Sequence, residues 1–295
     1  MAGFDELRPS YEGSHFGASL VKGEISIWNA GSYEKIASVR PGFSGGSQRY
    51  IVDPVNRLVF SGTWEDGLTC FDYDSNRIVW HRPDLLNIQR VDLSSAFPGS
   101  LFLELEAEDF RASDPTAFSG LIELSVDSGQ TKWISEDWSD CYVHPFGPIV
   151  LVADRGSRRI GILDEQKEIV GSSKMANFAI LDVAFGSDRI AIAEGAKGMR
   201  ILTFDGRTIA QYSPPGREAN LIRIAFNEGQ VYAVDNWDGA FITAIDPKTG
   251  ARQHEYPVGP PYDFCFIDKG AKVIDSKGNV RRTTDGEVIS TLPIS

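Results

Sequence analysis

The sequence predicts an all-β fold, a seven-bladed β-propeller of four-stranded antiparallel blades, and three observations carry that expectation. A turn-opening polar residue recurs along the chain, a glycine runs in phase with it, and the segments between them are short and alternate apolar with polar. Alternation with a period of two marks half-buried strands, and no window shows a sustained helical stripe with caps.

The first observation begins with "AIDPKTGARQH", Ala244 to His254, where Asp246 to Gly250 separate two apolar stretches with the local chemistry of a tight turn. The stretches "CFDYDSNRIVW", from Cys70, and "ELSVDSGQTKW", from Glu123, align with it without gaps. Asp72, Ser125 and Asp246 coincide, as do Ser75, Ser128 and Thr249, then Asn76, Gly129 and Gly250, and finally Trp80, Trp133 and His254. Weaker copies bring the turn-opening residues to Asn29, Asp72, Ser125, Asp164, Asp205, Asp246 and Asp285. Their intervals are 43, 53, 39, 41, 41 and 39 residues, close to the spacing of a four-stranded blade, roughly 40–45 residues. Seven anchors imply seven blades.

The second marker is a turn glycine. Gly198, Gly239 and Gly278 each precede an anchor by seven residues, and Gly23, Gly67 and Gly120 precede theirs by five or six. Each closes an apolar strand where a positive φ is cheapest for a residue without Cβ. Between the markers lie strand-like segments such as "QRYIVD", "RLVFSG", "RIAIAE", "LIRIAF" and "QVYAVD".

Placed on the chain, one domain spans residues 1–295, with blades at about 8–41, 47–85, 89–137, 140–176, 180–216, 221–259 and 262–294. The Pro- and Gly-rich stretches "YSPPGREAN" and "YPVGPPYD" fall between blades. The first blade is the least regular. Its innermost strand is expected to be irregular or supplied by the C-terminal segment "EVISTLPI", and six blades result if the N-terminal region completes a composite blade.

The Asp-x-x-Thr-Gly-x-x-x-aromatic hairpin is similar to the repeat of quinoprotein-like β-propellers, and "QVYAVDNWDGAFITAIDPKTG" resembles the unit of the YVTN and WD-repeat propellers. The resemblance spans nearly the whole chain from about Phe16 and implies the scaffold. The quinoprotein enzymes carry a vicinal Cys pair, whereas Cys70, Cys141 and Cys265 stand far apart, so no quinone cofactor is expected. "SVDSGQTKW" resembles the Asp-box of sialidase-type propellers with Trp133 one position late. Its expected role is a hairpin whose Asp bonds its own turn and whose Trp packs between blades.

Composition bounds the setting. With 42% hydrophobic and 24% charged residues the chain can bury a full core. "MAGFDELRPSYEGSHFG" shows no export signal, and three cysteines without a pairing pattern fit a reducing compartment, so a cytoplasmic protein, monomeric alone, is expected. Forty-one acids against 29 bases give a net charge of −12, which disfavours nucleic acid and anionic membrane and favours a protein partner with a basic surface.

The loops joining the second to the third strand, and each blade to the next, share one rim of a propeller. That rim receives Trp64, Glu65 and Asp66, the insertion with Glu106, Glu108, Asp109, Phe110 and Asp114, then Glu136, Asp137, Trp138 and Asp140, with Glu194 and the turn Asp235, Asn236, Trp237 and Asp238. Aromatic anchors among carboxylates suit a protein-binding surface facing Lys and Arg. An inhibitor or immunity-type partner of a basic protein fits, as does an assembly scaffold.

Catalytic patterns are weaker. The histidines at 15, 81, 144 and 254 fall on different blades, and no His or Cys pair has zinc-ligand spacing. His144, in "CYVHPFG", could approach the channel. The alternative function is a hydrolase such as a lactonase using a Ca-type metal on Asp235, Asn236, Glu194 and Asp182. Against it, Asp182 aligns with Arg223, as if the two neutralised each other between neighbouring blades.

Overall fold

The structure, a computed structural model, describes residues 6–19, 23–41, 48–106, 120–177, 179–214, 221–235, 240–258 and 263–293. Its strands form seven four-stranded antiparallel sheets, each from four consecutive strands in chain order: a seven-bladed all-β propeller. The sheets run over 6–39, 49–82, 88–135, 140–174, 182–212, 221–257 and 264–291. The helical elements among the described residues are two single 3-10 turns, Gly195–Lys197 and Asp268–Gly270. No helix among them is long and apolar enough to cross a membrane.

Sequence dictates which strands lie inside. Second and third strands such as Arg189–Ala193 and Met199–Thr203 are apolar at most positions and buried on both faces. Fourth strands such as Arg77–Arg82 and Ile169–Lys174 are largely exposed and form the outer edge. By its contacts the chain divides into two compact units, Arg8–Asp154 and Met1–Leu7 with Arg155–Ser295. The first packs around Phe60, Leu68, Ile88, Leu101 and Leu124. The second packs around Ala191, Ile201, Leu221, Val231 and Ile245.

The recurrent hairpin joins third to fourth strand, and where its opening residue is Asp or Asn that side chain caps its own turn. Asp72 Oδ1 accepts from the N–H groups of Asp74 (2.9 Å) and Ser75 (3.0 Å), and Asn29 Oδ1 from Gly31 (2.8 Å) and Ser32 (2.9 Å). Asp246 Oδ1 accepts from Lys248 N–H at 2.7 Å. The closing glycine serves the contact between sheets. Gly206 and Gly250 have φ of +86° and +72°, and a Cβ on either would run into the Ser172 or Gln211 carbonyl of the preceding outer strand.

In the second sheet the hairpin's terminal aromatic packs against the third sheet. The Trp80 ring lies on Gly129, and its Nε1–H donates to the Val126 carbonyl at 2.7 Å. In the sixth sheet the equivalent contact belongs to Tyr256, two residues beyond the aligned His254. Its hydroxyl donates to the Thr283 carbonyl and its ring covers Gly286.

Every pairing of third with fourth strand carries a register shift near the hairpin, leaving one extra residue on the outer strand. These residues are Ile36, Val79, Lys132, Val170, Ile209, Gln253 and Ile289. A bulge bends and twists the edge, which makes it a poorer template for uncontrolled pairing.

The expected loan of the C-terminal segment to the first sheet does not occur. Val288–Thr291 is the fourth strand of the seventh sheet, and Glu6–Pro9 is the first strand of its own sheet. A side chain makes the tie instead: Asp263 Oδ2 accepts the Leu7 N–H at 3.1 Å. A buried leucine with its amide so satisfied holds the first strand without a borrowed neighbour.

Candidate protein-binding face

Two loops of the unit Arg8–Asp154, with Glu106 at the end of the strand Ser100–Leu105, meet around Trp64. The first, Thr63 to Gly67, joins the second and third strands of the second sheet, and its shape follows from local chemistry. Thr63 Oγ1 accepts from the N–H of Asp66 (2.9 Å) and Glu65 (3.3 Å), and Gly67 N–H and C=O stand at the tight exit, where the carbonyl receives Thr63 N–H at 3.3 Å. A Cβ on Gly67 would collide with the Arg82 carbonyl. The turn is therefore held on both sides before anything binds.

Backbone bonds join the second loop, residues 83–87, and Glu106 to it. Asn87 N–H donates to the Trp64 carbonyl (3.0 Å), and Glu106 N–H donates to the Asn87 carbonyl (3.1 Å). Trp64 and Leu86 are left 37% and 38% exposed, beside exposed Glu65, Asp84 and Glu106 and half-buried Asp66. Asp84 is neutralised by a two-point bond from Arg82 at 2.8 and 2.6 Å, which holds its carboxyl below the usual range. Glu65 forms no ion pair among the described residues. The cluster can offer a fixed apolar ring within a negative surround.

The other residues expected at this rim divide in three. Glu108, Asp109 and Phe110, with Asp114, and Asn236, Trp237 and Asp238 lie outside the described residues. Trp138 is 6% exposed and Asp235 is fully buried, so neither side chain faces solvent, and they belong to different units. Glu136 and Asp137 are exposed, while Asp140 is buried and accepts from Ser139 Oγ at 2.8 Å.

Two charge assignments need correction. Glu194 is no surface acid. It is buried, and Arg200 holds its carboxylate at 2.5 and 2.9 Å while Ala176 N–H donates to Oε1 at 2.7 Å. A carboxylate so occupied is unsuited to ligating a metal. Nor do Asp182 and Arg223 pair: Asp182 Oδ2 accepts the Ile224 N–H at 2.8 Å, and Arg223 turns to Asp263 (2.8 Å) and the Phe264 carbonyl (3.0 Å). Acids on first strands thus take amides, and arginines take carbonyls, from the next sheet's first strand. Arg49 repeats this with the Gln89 carbonyl at 3.0 Å. These charges satisfy backbone at an inner edge.

The histidines also have structural partners. His144 Nδ1 accepts from the N–H of Phe146 (3.0 Å) and Gly147 (2.9 Å), capping the turn after Asp140–Val143. His81 Nδ1 meets Thr69 Oγ1 at 2.8 Å, and His254 lies against the rings of Tyr232 and Tyr256. Among the described residues no three His, Cys, Asp or Glu side chains gather as a metal site. Cys70, Cys141 and Cys265 are free and buried, and burial pushes the Cys70 thiol up to about 12.

Trp64, Glu65 and Asp66 are expected at this loop from the sequence, whereas Thr63, Leu86 and Asn87 are not. The Thr-x-x-Asp spacing of Thr63 and Asp66 is a legible turn signal. The approach of Leu86 is tertiary.

No family model matches the chain, and no curated protein matches it at a significant level. Among solved structures it is similar to the Myceliophteria thermophila Cps50 (Swd1) β-propeller domain, with TM-score 0.72 and 10% identity over 97% of each chain. It is also similar to the computationally designed Ika8 protein, with TM-score 0.64 and 12% identity over 90% of this chain and 79% of that one. Likeness at such identity concerns the fold alone.

Proposed function

We propose that the chain is a non-catalytic protein-binding propeller that docks a basic partner on the loop cluster around Trp64, Glu65 and Asp66. The observation that carries this reading is the presentation of Trp64, an exposed indole on a turn already held by Thr63 and Gly67. An anchor of this kind loses little freedom on binding, and flanking carboxylates steer a cationic surface toward it. The net charge of −12 acts in the same direction at longer range. Glu108, Asp109, Phe110, Asn236, Trp237 and Asp238, which lie outside the described residues, are proposed as further partner-contacting residues. The role is that of an inhibitor of a basic protein or of an assembly scaffold in the cytoplasm, working alone as a monomer and without cofactor.

The test is quantitative capture from native cytoplasm with the wild-type chain, Trp64→Ala, and Glu65→Lys with Asp66→Lys. A basic protein retained by the wild type and lost with both variants is the expected result. Capture unaffected by either variant, but abolished by Lys248→Glu on the hairpin rim, would sink the assignment.

A further inference from the structure

The outer edge of the second sheet has a character opposite to that of the molecule as a whole. The seven fourth strands together carry Lys35, Arg77, Arg82, Lys132, Lys174 and Arg252 against one acid, Glu255, on a chain whose net charge is −12. Most of these cations are occupied: Lys35 pairs with Glu24, Arg82 with Asp84 and Arg252 with Glu255, and Lys132 bonds the Gly99 carbonyl. Arg77 is exposed and forms no ion pair among the described residues.

On the same strand Ile78 and Val79 are 60% and 49% exposed. The register shift explains why two successive aliphatic side chains both face water: Cys70 opposes Trp80 and Phe71 opposes Ile78, so Val79 is the extra residue. The outward backbone groups of residues 77–81 meet no backbone partner among the described residues. An exposed strand edge with an aliphatic pair is a template for another strand.

We propose that the edge of Arg77–Arg82 accepts an extended acidic segment of a partner protein as an added strand. The Ile78 and Val79 pair receives its aliphatic side chains, and Arg77 its carboxylates. Charge decides the occupant. A second copy pairing antiparallel through the same edge would set Arg77 opposite Arg82, whose guanidinium already holds Asp84, leaving Arg77 against a cation with no carboxylate to spare for it. A segment with Glu or Asp flanking Val or Thr meets no such penalty. The strand adjoins the loop cluster around Trp64 at Arg82, but the docking residues Arg77, Ile78 and Val79 lie outside that cluster and have the opposite charge preference, so the two readings can fail independently.

The test uses the intact chain and two synthetic peptides, Val-Thr repeats flanked by glutamates or by lysines. Binding is read by anisotropy, and the edge by hydrogen exchange of the amides in 77–82. The expected result is that the glutamate peptide binds and slows exchange at those amides, while the lysine peptide does not. Arg77→Glu should weaken binding about tenfold or more, and Ile78→Thr with Val79→Thr should abolish it. These positions are exposed, and an unchanged circular dichroism spectrum with an unchanged melting temperature confirms that the variants fold. Protection elsewhere, equal affinity for Arg77→Glu, absence of binding, or peptide-free protection that grows with protein concentration would each overturn the proposal. Loss of binding on Trp64→Ala would assign the peptide to the other face.

Discussion

Arg200 closes on Glu194 with two nitrogens on two oxygens, at 2.5 and 2.9 Å, where both side chains are almost wholly buried. The arginine also donates to the Lys174 carbonyl at 2.6 Å, so one guanidinium joins the end of a second strand to the preceding outer strand. Removing one partner leaves the other charge uncompensated. Arg200→Ala should therefore destabilise the fold by about 3–5 kcal/mol, whereas replacing both residues with leucine should cost much less. Urea denaturation of the two variants checks this. Equal losses would mean that the carboxylate finds another partner.

Trp80 holds the second sheet to the third by a ring contact on Gly129 and a bond to Val126. Trp80→Phe retains most of the ring and leaves that carbonyl without its donor, so a loss of about 1–2 kcal/mol is expected. Gly250→Ala, which meets both an unfavourable φ and the Gln211 carbonyl, should cost more than about 1 kcal/mol. Denaturant midpoints measure both effects.

Asp263 serves two partners, the Leu7 N–H and Arg223. Asp263→Ala should fray the first strand, seen as faster hydrogen exchange at Leu7, before any global loss of structure. Unchanged exchange there would show that the strand is held by apolar packing alone.

The turn-capping aspartates make the fold sensitive to acid. Backbone hydrogen bonds hold the carboxyls of Asp72, Asp246 and Asp285 below their ordinary value, the leading donors being Ser75, Lys248 and Glu287. A depressed pKa in the folded state means that the unfolded chain binds protons first. Their contribution is thus complete above the ordinary aspartate pKa, about 3.9, and is lost as pH falls through the depressed values. Melting temperature should fall as pH drops below about 4, and less steeply for the triple variant Asp72→Asn, Asp246→Asn, Asp285→Asn. Parallel curves would refute the assignment.

With a purified partner in hand, the proposed face separates by rate. Glu65→Lys should slow association and reduce its salt dependence, since rim charges act on encounter. Trp64→Ala should speed dissociation, at a cost of about 2 kcal/mol in affinity.

Much of the fold was legible because its signals are local. Asp246 bonds an amide two residues away, Gly250 needs its own φ, and strands such as Arg189–Ala193 bury what their apolar runs declare. Seven copies of such a hairpin, six of them preceded in phase by a turn glycine, leave few alternatives to seven sheets. Trp64, Glu65 and Asp66 were legible as a loop on the rim for the same reason.

What the sequence by itself determined is therefore the hairpin, its count and its spacing. The tertiary structure alone decided which charges meet. Asp182 and Arg223 align in the repeat, yet each reaches the following sheet and takes a different partner. Glu194 and Glu65 are both rim acids in sequence. One is buried under Arg200 and the other is exposed. The bulge that turns Val79 outward, and the depth of Trp138, likewise depend on how sheets lie against one another. Turn chemistry acts over two to five residues and is written in their order. Pairing and burial act across sheets some forty residues apart, and only packing brings those groups within reach.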